Sequence, residues 1–123
     1  GLRPALDLQI ELLTDLGRFE ELERLLEPRL VARPHDERLL RIAADVKARL
    51  GEHYDAIRYY ERALLAGAQE TPELLNALAS EYWADGERDR TRELIERSLA
   101  IDPEQPQMRR LLEELLSGPG ESS

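Results

Sequence analysis

The sequence predicts an all-α fold, an α-solenoid of repeated helix-turn-helix units, on three observations. Glycines recur at positions 17, 51 and 86, which gives spacings of 34 and 35 residues. Apolar residues recur at helical intervals around each glycine, for example Leu6, Ile10 and Leu13 before Gly17. No run of alternating β-branched and polar residues indicates a strand. Because glycine readily adopts the left-handed conformation that closes a helix, each of these glycines marks a turn between two paired helices.

The limits of the repeats follow from the apolar pattern and from residues that begin or end helices. The predicted repeats and the capping helix that follows them span about residues 3–36, 37–71, 72–105 and 104–117. Prolines lie at the later helix boundaries, where a helix must stop or start: Pro34, Pro72 and Pro103. The candidate N-cap residues are Asp36, Thr71 and Asp102. The capping helix is expected to cover the outer face of the last repeat.

The length of 123 residues suits one domain, predicted here over residues 1–117. Residues 118–123 are polar and rich in glycine and serine, and they are predicted to form a flexible tail. The chain begins at Gly1 without a methionine, which suggests a piece of a longer protein. Sixteen arginines beside one lysine look like the product of a GC-rich bacterial gene, whereas the compartment stays unknown.

Charge and composition exclude several classes of partner. The 26 acidic residues exceed the 17 basic ones, the net charge is −9, and Lys47 is the only lysine. Such a chain has no basic stripe to neutralise phosphates, so neither nucleic acid nor an anionic membrane is an expected partner. The absence of cysteine excludes disulfides and thiolate metal sites. The longest apolar run, residues 63–66, is far too short for membrane insertion.

The sequence also contains few residues that could take part in catalysis. His35 and His53 are the only histidines, and neither has a second ligand at metal-binding spacing. Carboxylate pairs such as Glu20 and Glu21 are adjacent in sequence, so on a helix they point about 100° apart and cannot share a proton. No glycine-rich phosphate loop is present. We therefore expect no catalytic residue, no metal, no cofactor and no enzyme activity.

The third repeat carries the clearest family signature. Its pattern is Leu75-x2-Leu78-Ala79-x2-Tyr82, Gly86, Thr91-x3-Ile95, Ser98 and Asp102-Pro103. The second repeat keeps the second-helix part of this pattern in Ala56, Ile57, Tyr60 and Ala63. The first repeat is the most degenerate, since Arg29 stands where a small residue is usual. Over residues 3–105 the chain resembles the tetratricopeptide repeat, a helix-turn-helix unit of 34 residues.

This resemblance implies a protein-protein interaction module that binds a peptide or a partner-protein segment in a concave groove. In the family, the first helices of successive repeats line that groove. The predicted partner-binding residues are Leu8, Arg38, Arg41, Ile42, Asp45, Arg49, Asn76, Ser80 and Trp83.

Two binding modes known in the family are not expected. The clamp for acidic chaperone tails needs cations, but in one alignment frame its positions hold Asp7, Glu11 and Glu73, which would repel a carboxylate ligand. In the next frame the only cation is Arg41. The asparagine ladder of sugar-transferring relatives is also missing, because Asn76 is the only asparagine of the chain.

Two interpretations of the groove residues stay open. The ladder positions hold Leu8, Ile42, Ala77 and Leu111. With the nearby arginines and Trp83, this apolar line suits an amphipathic or extended peptide whose charges are mostly acidic. Alternatively, the line packs inside the superhelix, and Arg38 and Arg41 pair with acidic residues of neighbouring helices, namely Asp7, Glu11 and Glu73. Trp83 either faces the groove or packs between repeats.

A different class of function is self-association. No capping helix precedes the first repeat within this sequence. An apolar edge around Leu6, Leu13 and Phe19 is then expected to be exposed, and a second copy of the chain could stack on it.

Overall fold

The computed structural model describes residues 2–117, and side chains from residue 5 onward. This part of the chain forms seven α-helices and no strand. They are α1 (Leu2–Asp15), α2 (Phe19–Ala32), α3 (Glu37–Arg49), α4 (His53–Leu65), α5 (Pro72–Ala84), α6 (Arg88–Ile101) and α7 (Pro106–Ser117). The predicted fold class is confirmed: three helix pairs are followed by a seventh helix. The predicted flexible tail, 118–123, lies outside the described residues.

Internal contacts divide the chain into two compact units. The first unit, Gly1–Ala68, contains α1 to α4, and the second unit, Gln69–Ser123, contains α5 to α7. Each unit therefore holds at least one complete helix pair. The assignment of residues 1–117 to a single domain stays a prediction.

The three repeat glycines lie in the turns between paired helices, as predicted. Their φ angles are positive: +70° at Gly17, +78° at Gly51 and +81° at Gly86. At the second turn, the Gly51 N–H donates to the carbonyl of Ala48 at 3.1 Å, and the Glu52 N–H donates to Lys47 at 2.9 Å. The same two bonds recur at the other two turns, and this pair defines the Schellman helix ending. The same helix ending thus closes the first helix of every repeat, and it also closes α4 at Gly67, where φ is +110°.

The N-caps were predicted correctly in two cases of three. The Asp36 carboxylate accepts from the first backbone N–H groups of α3, and the Thr71 hydroxyl accepts from Leu74 at 3.2 Å. The prediction for Asp102 is wrong, since this residue ends α6 and its carboxylate accepts from Glu104 N–H at 2.9 Å. Helix α7 begins only at Pro106, two residues later than expected.

The first unit is held by an apolar cluster from α1, α2 and α3. Its buried members are Ile10, Leu22, Leu26, Leu39, Ala43 and Val46. Leu6, Leu13 and Phe19 pack against this cluster, so they do not form the exposed edge that was expected of them. The Lys47 ammonium adds a link between helices by donating to Glu23 of α2 and to Glu52 at the start of α4. The hydrogen bond that the Lys47 ammonium donates to Glu23 is the largest cause that raises the pKa of Lys47 above its usual range.

Small buried residues lie on the second helices of the later repeats. Ala56 and Ala63 of α4 are fully buried, as are Thr91 and Ser98 of α6. The corresponding residues of α2 are Leu22 and Arg29, which are much larger. Consistently, α1 packs on α2 less closely than α3 packs on α4.

The second unit has its own core and a polar link to α7. Its buried apolar residues are Leu74, Leu75, Leu78, Ala79, Leu94, Ile95 and Leu115. The side-chain amide of Gln105, just before α7, donates to the Ser98 carbonyl at 3.2 Å and to the Asp102 carbonyl at 2.8 Å. These bonds fix the connection between α6 and α7.

We predict that Gly51→Ala lowers the free energy of unfolding by about 1 to 2 kcal/mol, the cost of a left-handed conformation for a residue with a Cβ. No heavy atom lies within 4 Å of the position that the new Cβ would take, so the loss measures backbone strain alone. Urea denaturation followed by circular dichroism gives the value. Gly51→Asn serves as the control and should lose less, because asparagine tolerates this conformation better. An unchanged midpoint for Gly51→Ala would contradict the turn assignment.

Candidate functional site

One face of α3 carries four of the predicted binding residues. Arg38, Ile42, Asp45 and Arg49 are separated by four, three and four positions, so they lie along a single helical stripe. Ile42 is half-buried and packs against the apolar cluster, whereas Asp45 and Arg49 are exposed. The stripe therefore combines an apolar centre with charged groups at the surface.

A cavity of about 350 Å³ opens beside this stripe within the first unit. Its lining comprises Ile10, Thr14, Phe19, Leu22, Ile42, Asp45, Val46, Ala48, Arg49 and Tyr60. Three of these, Ile42, Asp45 and Arg49, were predicted from the sequence. The buried side chains of Ile10, Leu22 and Val46 make the interior apolar.

Two polar contacts fix the charged groups at this cavity. The Tyr60 hydroxyl of α4 donates to Oδ1 of Asp45. The guanidinium carbon of Arg49 lies 5.7 Å from the centroid of the Phe19 ring, a cation–π distance. Phe19 and Tyr60 were missed by the sequence prediction, because they belong to second helices and the family resemblance assigns the groove to first helices. The only signal for Phe19 was its place directly after the Gly17-Arg18 turn.

The remaining arginines of α3 are paired, one across helices and one within α3. Nη2 of Arg38 donates to Oδ1 of Asp7 on α1 at 2.5 Å, as the packing interpretation predicted. Nε of Arg41 donates to Oε2 of Glu37 at 3.1 Å, so its partner is neither Glu11 nor Glu73. Both pairs are at least 40% exposed on each side chain, which keeps their contribution to stability small.

Leu8 of α1 does not pack inside the structure. Its side chain is 57% exposed, and the exposed fractions of Leu12 and Leu16 are 51% and 65%. These leucines follow each other at intervals of four residues. Leu8 and Leu12 share one stripe of α1, and Leu16 continues it just after the last helical residue, with its N–H donating to the Leu12 carbonyl at 3.0 Å. The predicted apolar line therefore does not form one continuous surface: the Leu8 side chain is exposed, whereas Ile42 is half-buried and packs against the apolar cluster.

The predicted residues of the second unit share one face of α5. Asn76, Ser80 and Trp83 are separated by four and three positions. Trp83 is 44% exposed, and the guanidinium carbon of Arg88 lies 5.3 Å from its ring centroid. Ser80 is exposed. The amide nitrogen of Asn76 instead donates to Oε1 of Gln105 at 2.8 Å, while its oxygen Oδ1 is buried without a hydrogen-bond partner.

Across residues 2–117, no group of three or more His, Asp or Glu side chains is arranged to hold a metal ion. No helix in the same range has the length and apolarity needed to cross a membrane.

Comparison with known proteins assigns the fold. No protein-family model matches the chain, and no curated protein matches it. Among solved structures, YrrB, "a TPR protein with an unusual peptide-binding site", superimposes with a TM-score of 0.80 at 17% identity over 91% of this chain. The chain spans 57% of the length of YrrB.

Two further neighbours are complexes. The first tetratricopeptide domain of Spaghetti (RPAP3), bound to the HSP90 peptide SRMEEVD, gives a TM-score of 0.79 at 15% identity over 97% of this chain and 92% of that one. SycD of Yersinia enterocolitica, in complex with a peptide of the translocator YopD, gives a TM-score of 0.73 at 16% identity. The match covers 94% of this chain and 88% of SycD. The chain therefore has the tetratricopeptide-repeat fold, with three helix-turn-helix repeats and a capping helix.

We predict that Arg88 controls the access of anions to Trp83. Because its cation lies 5.3 Å from the ring centroid, Arg88→Ala should lower the quenching constant of Trp83 fluorescence by iodide by roughly half. Quenching by neutral acrylamide should not fall. Arg90→Ala, a loss of the same charge on the same helix, is the control. Equal effects of both substitutions on iodide quenching would contradict the ring contact.

Proposed function

We propose that the chain is a non-catalytic protein-protein interaction module that binds a peptide or a segment of a partner protein in the concave groove implied by its family resemblance. The residues proposed to make contact are given for each unit by itself. In the first unit they are those of the α3 stripe with Arg41 and Leu8 of α1, and in the second unit they are Asn76, Ser80 and Trp83 of α5. The observation that carries the proposal is the cavity beside α3. At about 350 Å³ it has room for an apolar anchor side chain, and charged groups stand at its edge.

The structural neighbours support the same role. SycD and the Spaghetti domain are each bound to a peptide, and YrrB is described as having a peptide-binding site. Their identities to this chain are between 15% and 17%, so they support the class of ligand and not its sequence.

The charges of α3 favour a ligand with carboxylates. Arg41 and Arg49 are exposed, and Arg41 is paired only with Glu37 of its own helix. Exposed ion pairs of this kind contribute little, so a ligand carboxylate can replace the internal partner at small cost. An apolar side chain in the cavity and an acidic residue next to it would satisfy both features of the surface.

The groove proposal is tested with peptides selected from a random display library on the immobilised full chain. We expect Trp83→Ala to reduce the binding free energy of the selected peptides by about 2 kcal/mol, the loss typical of an aromatic anchor residue. Arg41→Glu should weaken acidic ones by about tenfold through charge reversal. Isothermal titration calorimetry measures both, with circular dichroism to verify folding.

Two matched substitutions serve as controls. Tyr54→Ala removes an exposed aromatic residue of α4, and Arg24→Glu reverses an exposed charge of α2; neither residue belongs to the proposed set. The groove assignment is wrong if both groove variants bind every selected peptide as tightly as the parent chain.

Self-association is a second candidate function, favoured by the exposed leucine stripe that runs along α1 and ends at Leu16, just after the helix. Leu8, Leu12 and Leu16 are each more than half exposed on one helical stripe, and a second copy of the chain could bury them. This surface replaces the edge around Leu6, Leu13 and Phe19 that the sequence suggested.

Sedimentation velocity over a range of concentrations tests this second candidate. We expect the parent chain to dimerise as concentration rises, and the double variant Leu12→Ser, Leu16→Ser to stay monomeric because its stripe is polar. Leu65→Ser, at an exposed leucine of α4, is the control and should dimerise like the parent. A parent chain that is monomeric at every concentration would exclude self-association.

A further inference from the structure

A second cavity of the first unit, of about 370 Å³, lies among α1, the end of α2 and the start of α3. Its lining includes Leu6, Arg29, Arg33, Asp36, Arg38 and Leu39. The wall formed by Leu6 and Leu39 is apolar, and three arginines stand around it. This local excess of positive charge occurs in a chain whose net charge is −9.

Arg29 is the unusual residue of this cavity. It occupies the repeat position that holds the fully buried Ala63 in the second repeat and Ser98 in the third. Its side chain is half-buried, and its Nη1 donates to the carbonyl of Leu25 at 2.8 Å. A guanidinium has several more N–H donors in a planar fork that matches a carboxylate. A large charged residue has thus replaced a small one and retains donors for a ligand.

The acidic groups around the cavity are already engaged. The Asp36 carboxylate accepts from the backbone N–H groups of Arg38 and Leu39, and Asp7 accepts from the Arg38 guanidinium. In the described part of the chain, no carboxylate lies within salt-bridge distance of Arg29 or Arg33. Arg33 is the C-cap residue of α2, four positions after Arg29, and its backbone N–H donates to the Arg29 carbonyl at 2.9 Å, so the two arginines are neighbours at the end of the helix.

We infer that this cavity binds an acidic peptide segment in which a carboxylate side chain stands next to an aliphatic one. The carboxylate pairs with Arg29 and Arg33, and the aliphatic side chain packs on Leu6 and Leu39. The apolar wall favours such a segment over a simple anion, and the overall acidity of the chain disfavours a polyphosphate backbone. The site is separate from the proposed groove, with which it shares only Arg38, and it does not rest on that function.

The test is a titration of the full, ¹⁵N-labelled chain with a short peptide of alternating glutamate and leucine, blocked at both ends. Amide shifts should concentrate around Arg29, Arg33 and Leu39. Arg29→Met, which keeps the packing of the stem, and Arg33→Gln should each weaken binding by at least about tenfold. Arg24→Gln, at an exposed arginine of α2 outside the cavity, should leave affinity unchanged within about twofold.

Three further arms identify the ligand chemistry. A peptide with glutamine for glutamate, and one with serine for leucine, should each bind at least about tenfold more weakly. Inorganic phosphate at the same concentration should not displace the acidic peptide. The same peptide chemistry also suits the proposed groove, so affinity at the second cavity is read from the amide shifts of Arg29, Arg33 and Leu39 alone. In the groove variants Arg41→Glu and Trp83→Ala these shifts should saturate as in the parent, which separates failure here from failure of the groove proposal.

Several results would overturn the inference. They are an absence of binding at millimolar peptide, an absence of amide shifts around Arg29, Arg33 and Leu39, equal losses for Arg24→Gln and Arg33→Gln, equal binding of the glutamine or serine peptide, and displacement by phosphate. Because Arg33 is exposed, Arg33→Gln decides the question even if Arg29→Met does not fold.

Discussion

The close approach of two helices within each repeat is the constraint on which the structure depends. Helices can pack closely only where one of them presents small side chains, and Ala56 and Ala63 of α4 are fully buried for that reason. Thr91 and Ser98 occupy the equivalent positions of α6 and are also fully buried. The buried Thr91 hydroxyl has a hydrogen-bond partner, since it donates to the Glu87 carbonyl at 2.7 Å. Where small residues are present, as in the pairs α3 with α4 and α5 with α6, the two helices pack closely against each other.

The first repeat shows what happens when the constraint is relaxed. Leu22 keeps its position by joining the apolar cluster of α1, α2 and α3, but Arg29 cannot do so without losing its solvation. Its guanidinium therefore remains half-buried, bonded to the backbone carbonyl of Leu25. Both cavities discussed above belong to this first unit and involve α1, α2 and α3. These two cavities thus lie beside the less closely packed pair of α1 and α2, whereas a further cavity of this unit is lined by α2, α3 and α4.

The sequence predicted those parts of the fold that local chemistry determines. Gly17, Gly51 and Gly86 could be placed in turns because a positive φ selects glycine wherever it occurs. Asp102 was misplaced because a carboxylate that follows a helix can bond forward to a nearby N–H in a turn as readily as it can cap a new helix. The sequence pattern could not predict the partner of Arg41 either. An arginine can pair equally well with an acidic residue one turn away on its own helix and with one on a neighbouring helix, and in the structure it pairs with its α3 neighbour.

Only those residues of the candidate site that lie on the first helix of a repeat could be predicted from the sequence. The resemblance assigns groove positions to first helices, so Ile42, Asp45 and Arg49 were found, whereas Phe19 and Tyr60 were not. Yet it is these second-helix side chains that hold the charged groups in place: Tyr60 donates to Asp45, and the ring of Phe19 lies beneath the guanidinium of Arg49. A charged side chain held by such a contact loses less conformational entropy when a ligand binds than one that is free in solvent. The arrangement of this surface therefore depends on both helices of a pair, although the family pattern describes it through the first helix alone.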